Sequence, residues 1–212
     1  MNHKINPTTS ILSILIICLP IIIIISSANS IIFSDSTYIT IKETEFKEET
    51  TNNILNYFKN NQELLTQPEF TQREFTQKEF AHMADVKKVI KNMNSFLLIN
   101  IILSTLLLLH ISTKLNNKEF KKFLSKYLKT GGIITLIIIS TLFILTLNFD
   151  FTFNLFHSLL FQPGTWIFPE NSILIQLFPI TFFQQTAIAI FNRIFISAML
   201  LLIVGFSLKK LK

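Results

Sequence analysis

FTFNLFHSLLFQPGTWIFPENSILIQLFPITFF, residues 151–183, decides how the rest of the chain is read. It is rich in Phe, holds the single Trp of the chain, and carries one charged side chain, Glu170. Pro163, Gly164, Pro169 and Pro179 interrupt it, so it does not run as one straight helix across a bilayer. Aromatic rings of this kind settle at a membrane–water boundary, where one part of the ring is apolar and another wet. In its middle sits His157, whose unperturbed pKa lies near neutrality. Greasy, broken by turns and supplied with one ionisable ring, the stretch reads as a site on a membrane surface. The other segments then read as what holds it there.

Bulk composition agrees. Half of the 212 residues are hydrophobic and 15% are charged, and the mean hydropathy is +0.48. That is more apolar surface than a water-soluble domain of this length hides. The net charge of +6 would suggest nucleic acid in a soluble protein, but the basic residues cluster beside apolar runs, as membrane orientation requires. Cys18 is the one cysteine and lies within an apolar run, so no disulfide framework exists. Gly is scarce, with 4 residues, and no phosphate-cradling loop is present.

Outward from residues 151–183, the apolar pattern gives four spans, at about residues 10–33, 96–112, 131–149 and 186–207. The fold class expected is therefore an all-α membrane protein of four transmembrane helices with a mostly helical extracytoplasmic cap, in one integral membrane domain. The first run also has the outline of a secretory signal, with Ser26-Ser27-Ala28 as a cleavage site. Its length favours a retained anchor kinked at Pro20. Residues 34–94 are polar, with ten acidic against eight basic side chains. Residues 37–41 have the composition of a short extended piece, and 50–65 and 72–93 of helices, with Pro68 marking a break before the second. Phe70, Phe75 and Phe80 recur every five residues in EFTQREFTQKEF, a spacing that keeps no single helical face and reads as duplication. Lys114, Lys118, Lys121, Lys122, Lys126 and Lys129 face Glu119 alone in the middle loop, and the tail ends in Lys209, Lys210 and Lys212. The positive-inside rule then puts both termini and residues 113–130 in the cytoplasm, and residues 34–94 and 150–185 together outside.

Of four histidines, His3 is in the leader and His110 near the cytoplasmic end of the second span. His82 and His157 fall in the two outward regions, so they alone can meet outside. On a helix, Glu79, His82 and Asp85 stand three apart on one stripe, where a carboxylate can fix an imidazole tautomer and raise its basicity. Such spacing taken alone more often marks a solvated helix with ordinary charge pairs. His157 by itself fits an interfacial ring with its tip among headgroups. Trp166 is an interfacial anchor or a site residue. Arg193, about two turns into the fourth span, is either a functional cation reaching a phosphate or ester, or a partner for Asn148 or Asp150. His82, Asp85, His157 and Glu170 show no metal-ligand spacing, and neither metal nor cofactor is expected. No Ser nucleophile elbow and no outward Cys exists, which argues against an acyl-enzyme.

KEFAHMADVKKVI (residues 78–90), followed by FHSLLFQPGTW and LFPITFF, resembles the bacterial lipoprotein intramolecular transacylase (Lit) family, small integral membrane proteins of four spans. The resemblance implies that His82 and His157 are the catalytic pair, with Glu79, Asp85 and Trp166 in the same motifs in supporting or substrate-binding positions. Where the family has an acidic residue after the LFP motif, this chain has Gln184 and Gln185, which leaves a role there open. It further implies a diacylglyceryl-modified lipoprotein as substrate. The sn-2 acyl chain moves to the α-amino group of the same cysteine and leaves a lyso-form lipoprotein. Amine and ester belong to one molecule, so effective molarity is high without a covalent enzyme intermediate. Two other classes compete: a membrane-anchored module whose outer region binds a partner, and a small transporter. Apart from Arg193 the spans lack the chain of ionisable groups a transporter uses.

Overall fold

A computed structural model describes residues 7–39, 41–42, 44–60 and 75–210 of the protein. The described residues are helical, with no strand among them. The helices are α1 (Pro7–Ile32), α2 (Glu45–Lys59), α3 (Gln77–Lys114), α4 (Asn117–Leu145), α5 (Phe149–Leu160), α6 (Ile173–Leu177) and α7 (Ile180–Lys210). Four of them, α1, α3, α4 and α7, are long and apolar enough to cross a membrane. The expected fold class holds.

Several boundaries differ from the sequence reading, each for a local reason. The second polar helix, from Gln77 on, and the second span are one helix of 38 residues, α3, because neither Gly nor Pro separates them and Asn94-Ser95 is too weak a signal to break a helix. Its start at Gln77 is fixed by a capping box. The Thr76 N–H and hydroxyl both donate to Glu79 at 2.8 Å, and the Glu79 N–H donates back to the Thr76 hydroxyl at 3.2 Å. The Lys-rich segment is likewise no loop. Asn116 and Glu119 exchange backbone-to-side-chain bonds at 2.9 and 3.3 Å and start α4 there, well before Gly131. Helix α2 starts at Glu45 rather than at residue 50, capped by Thr44, whose hydroxyl accepts the Lys47 N–H. The piece expected to be extended is a 3-10 turn, Asp35–Tyr38. Its side chains set that shape: the Thr37 and Tyr38 hydroxyls donate at 2.6 Å to the carbonyls of Ile31 and Ile32 in the last turn of α1, the former also accepting the Ser34 N–H at 3.1 Å. His3, Pro68, Phe70, the end expected for the first polar helix at residue 65 and the start expected for the second at residue 72 lie outside the described residues.

The chain divides into two compact units. The first comprises Met1–Ala28, Asn94–Ile144 and Ile190–Lys212. Its core is mainly aliphatic, with Leu12, Leu15, Leu19, Ile111, Ile139 and Ile194 among its buried side chains. Close approach makes it possible: a Cβ placed on Gly131 would lie 2.5 Å from Leu19 Cδ2, and one on Gly205 would lie 2.8 Å from Lys129 Cγ. Small residues at such contacts let helix backbones approach one another in a membrane. Ser125 adds a buried hydrogen bond to the Gly205 carbonyl at 2.7 Å. Outward from that core, Ile99, Leu106, Ile137 and Phe195 are exposed, as lipid contact requires.

The second unit comprises Asn29–Met93 and Leu145–Ala189. Its core holds Tyr38, Ile54, Tyr57, Phe75, Met83, Leu177 and Phe182. Helix α5 is capped by Asn148, whose side chain accepts the Phe151 N–H. After it, residues 162–165 form a turn closed by the Thr165 N–H on the Gln162 carbonyl at 3.2 Å. Pro163 takes the first central position, and Gly164, with φ of 83°, the second, as a type II turn requires.

Candidate active site

Helix α5 is built the wrong way round for water. Phe151, Leu155, Phe156 and Leu159 are exposed, while His157 is 8% exposed and faces inward. An apolar exterior over a buried imidazole suits a helix lying against lipid. Opposite His157 in the same unit stands His82, in the second turn of α3. A helix of 38 residues is about 57 Å long, nearly twice a hydrocarbon core of about 30 Å. The turns that carry His82 therefore lie outside the apolar span that starts near Phe96.

The two imidazoles face each other with ring centroids 6.3 Å apart and planes 26° from parallel. Aromatic rings enclose them. Phe161 meets both, at 4.9 Å from His82 and 5.6 Å from His157. Phe168 sits against His82 at 5.4 Å, and Phe153 and Trp166 against His157 at 4.0 and 4.8 Å. Phe153, His157 and Phe161 recur every four residues, one stripe of α5 and the residue that caps it. That spacing was present in the sequence and could have identified both phenylalanines as lining the site.

Electrostatics follow from this shell. Burial pushes the His82 pKa down to about 4; the neighbouring His157 lowers it further, and the charge of Asp85 opposes. Burial also lowers His157, opposed by its bond to the Phe153 carbonyl. Both rings are therefore neutral at pH 7. The His157 Nδ1 lies 2.8 Å from the Phe153 carbonyl oxygen, which can only accept, so Nδ1 carries the proton and Nε2 keeps its lone pair. The His82 Nδ1 and the Trp166 Nε1 are both buried with no hydrogen-bond partner among the described residues.

The other sequence candidates are placed differently. Glu79 is 1% exposed, and its carboxylate is committed to structure. One oxygen closes the α3 capping box and the other accepts the Leu174 N–H at 3.1 Å, at the start of α6. Asp85 is exposed one turn after His82 and lines a cavity of about 360 Å³ with Lys88, Asn92, Phe161 and Gln162. Arg193 belongs to the other compact unit, exposed on α7 beside buried Ile194. Lys78 is a residue that sequence reasoning missed. Its ammonium donates to the Ile167 carbonyl at 2.6 Å and lies 5.3 Å from the Phe168 ring centre. Thus Lys78 and Glu79, adjacent in α3, hold the loop behind Trp166 at both ends.

Four membrane-crossing helices and a neutral imidazole pair in an aromatic shell define the class: an integral membrane protein with a site suited to proton transfer. Residues 9–183 match the family model for lipoprotein intramolecular transacylase Lit, and the chain belongs to that family. Its fold matches the structure of the membrane-integral transacylase Lit of Bacillus cereus, with TM-score 0.81 and 21% identity over 96% of each chain. Variants of that protein with a histidine replaced by Ala or by Arg match with TM-scores of 0.78 and 0.75 at 20% identity. They cover 96% of this chain and 94% and 92% of their own. No curated protein matches the sequence.

Proposed function

We propose that this transacylase moves the sn-2 acyl chain of a diacylglyceryl-modified lipoprotein onto the α-amino group of the same N-terminal cysteine. The observation that carries the reading is the facing pair, two neutral imidazoles 6.3 Å apart with one tautomer fixed. Ester aminolysis needs a base for the proton of the attacking amine and a route for that proton to the departing glyceryl oxygen. His157 is the base, through its free Nε2. The amine nitrogen bonds to the carbonyl carbon as the π pair moves onto oxygen. The tetrahedral intermediate then collapses by breaking the bond to the glyceryl oxygen. The proton taken by His157 ends on that oxygen, with His82 on the far side of the reacting atoms to relay it. No net proton is gained or lost. Asp85 supports the site by its charge near His82, and the aromatic shell keeps out the water that would hydrolyse the ester.

The apolar outer face of α5 supports substrate entry sideways from the bilayer. The lysines of α4 and the tail support a topology with both termini in the cytoplasm and the imidazole pair outside. The deciding experiment is mass spectrometry of a lipoprotein's N-terminal peptide from cells with this protein, without it, and with His82→Ala plus His157→Ala. The expected result is an acyl group on the cysteine nitrogen and a singly acylated glyceryl group, both lost in the double variant. An unchanged lipid pattern in all three would leave the membrane-anchored binding module as the better reading.

A further inference from the structure

Aminolysis puts negative charge on the ester carbonyl oxygen, and neither imidazole assignment above supplies a donor for it. We propose that the indole N–H of Trp166 is that donor. The inference rests on the transacylation reading. Five rings surround His157: His82, Phe153, Phe156, Phe161 and Trp166. The three phenyl rings donate nothing. The Nδ1–H of His157 is committed to the Phe153 carbonyl, the Ser158 hydroxyl to the Leu155 carbonyl and the Thr165 hydroxyl to the Gln162 carbonyl. The Lys78 ammonium is committed to the Ile167 carbonyl. The indole Nε1 is buried and has no partner among the described residues, a state it shares in this shell with the His82 Nδ1, whose ring is assigned to the proton relay.

A buried donor left unpaired is costly in a folded protein, and Phe would fill the same space without that cost. Trp166 is also held in place. The type II turn at Pro163-Gly164 leads into it, its ring lies 35° from the His157 plane, and the Lys78 clamp grips the carbonyl of the next residue. An unpaired N–H on a ring packed against the base suits an oxyanion donor, which strengthens its bond only as the carbonyl oxygen gains charge. When the intermediate collapses, the electron pair returns to the carbonyl and the N–H is free again.

The test uses purified full-length protein and a synthetic diacylglyceryl lipopeptide, with N-acyl product followed by mass spectrometry. Trp166→Phe keeps a ring and removes the N–H. Trp166 is the single Trp of the chain, so replacing tryptophan throughout by its benzothienyl analogue puts sulfur in place of that N–H with little change of shape. Both changes are expected to lower kcat by about 10²-fold with KM within about twofold, the split of an interaction made only in the transition state. If Trp166→Phe fails to fold, the analogue decides. A kcat within about fivefold of the unmodified protein, or a loss carried by KM, would overturn the donor role and leave transacylation standing. An unmodified protein that leaves the acyl chain on the glyceryl oxygen would overturn both.

Discussion

The two compact units of this chain bury opposite kinds of side chain. The span unit is held by Leu and Ile around close helix approaches at glycine, and its polar side chains mostly turn back on their own helix. Thr135 and Thr141 each donate to a carbonyl four residues earlier. The second unit buries aromatic rings and, within them, groups that titrate or donate: Glu79, His157 and the indole nitrogen. Burying a polar group is expensive unless it is paired. Glu79 meets that requirement with three hydrogen bonds, whereas the His82 Nδ1 and Trp166 Nε1 do not. A fully paired acid next to half-paired imidazoles separates what holds the site from what acts in it.

The sharpest way to break that distinction is to remove the imidazoles. Replacing His157 or His82 by Ala should lower transacylation by about 10²–10⁴-fold, the usual range for a lost general base or acid. The loss should appear as missing N-acyl product in mass spectrometry and persist when the protein is assayed well below its unfolding midpoint, which the cavity left by a buried ring lowers. If activity fell only as far as stability did, the rings would be packing residues and the contrast with Glu79 would vanish.

Substitution in the span unit should do the reverse. Gly131→Leu drives a side chain into Leu19, whose Cδ2 already lies 2.5 Å from where a Cβ would be. Overpacking of this kind costs about 1–3 kcal/mol, read as a lower midpoint in detergent unfolding. Glu79→Ala should fall in the same range, about 1–3 kcal/mol, because it strands the Leu174 N–H and opens the α3 cap. The signature is a stability loss with a kcat that recovers when the protein is assayed well below its midpoint. Persistent loss of kcat there would return Glu79 to the role of orienting His82.

How much of this was legible in sequence depends on the range of the interactions. Apolar runs of 17 residues and more need no partner to be recognised, so the four spans were readable. Their ends were not, because the capping boxes at Thr76 and Asn116 start α3 and α4 well before the points where hydropathy changes. His82 and His157 were singled out by lying in the two segments expected to face outward, and the fold brings them together. Glu79 shared a helical stripe with His82, yet its carboxylate is claimed by Leu174, 95 residues away. The Lys78 bond to Ile167 spans 89 residues. No local pattern encodes either contact.

Acid should also separate the two kinds of buried group. The folded-state pKa of His82 is pushed down to about 4, below the ordinary imidazole value of about 6.5. As pH falls through that interval the unfolded chain takes up a proton that the folded chain refuses, so stability falls from about pH 6.5 towards 4. Unfolding midpoints at pH 7, 6 and 5 should decline, and His82→Gln, which cannot titrate, should flatten the decline. An equal slope in both proteins would mean that burial of this ring does not govern the response.

The smallest effect is expected at Lys78. Its ammonium is exposed, so the bond to the Ile167 carbonyl contributes little to stability. It does, however, set where the loop behind Trp166 can go. Lys78→Met keeps an apolar stem of similar length and deletes the donor. Unfolding should shift by less than about 1 kcal/mol, while kcat/KM should fall a few-fold as the indole and Phe168 lose their fixed positions against the imidazoles. Lys78→Arg, which can still donate to the same carbonyl, should restore most of the rate. Rescue by Arg without any change in the midpoint would identify Lys78 as a positioning residue. An unaltered rate in Lys78→Met would mean that Glu79 alone holds the loop, and the second unit would then owe its geometry to one buried acid.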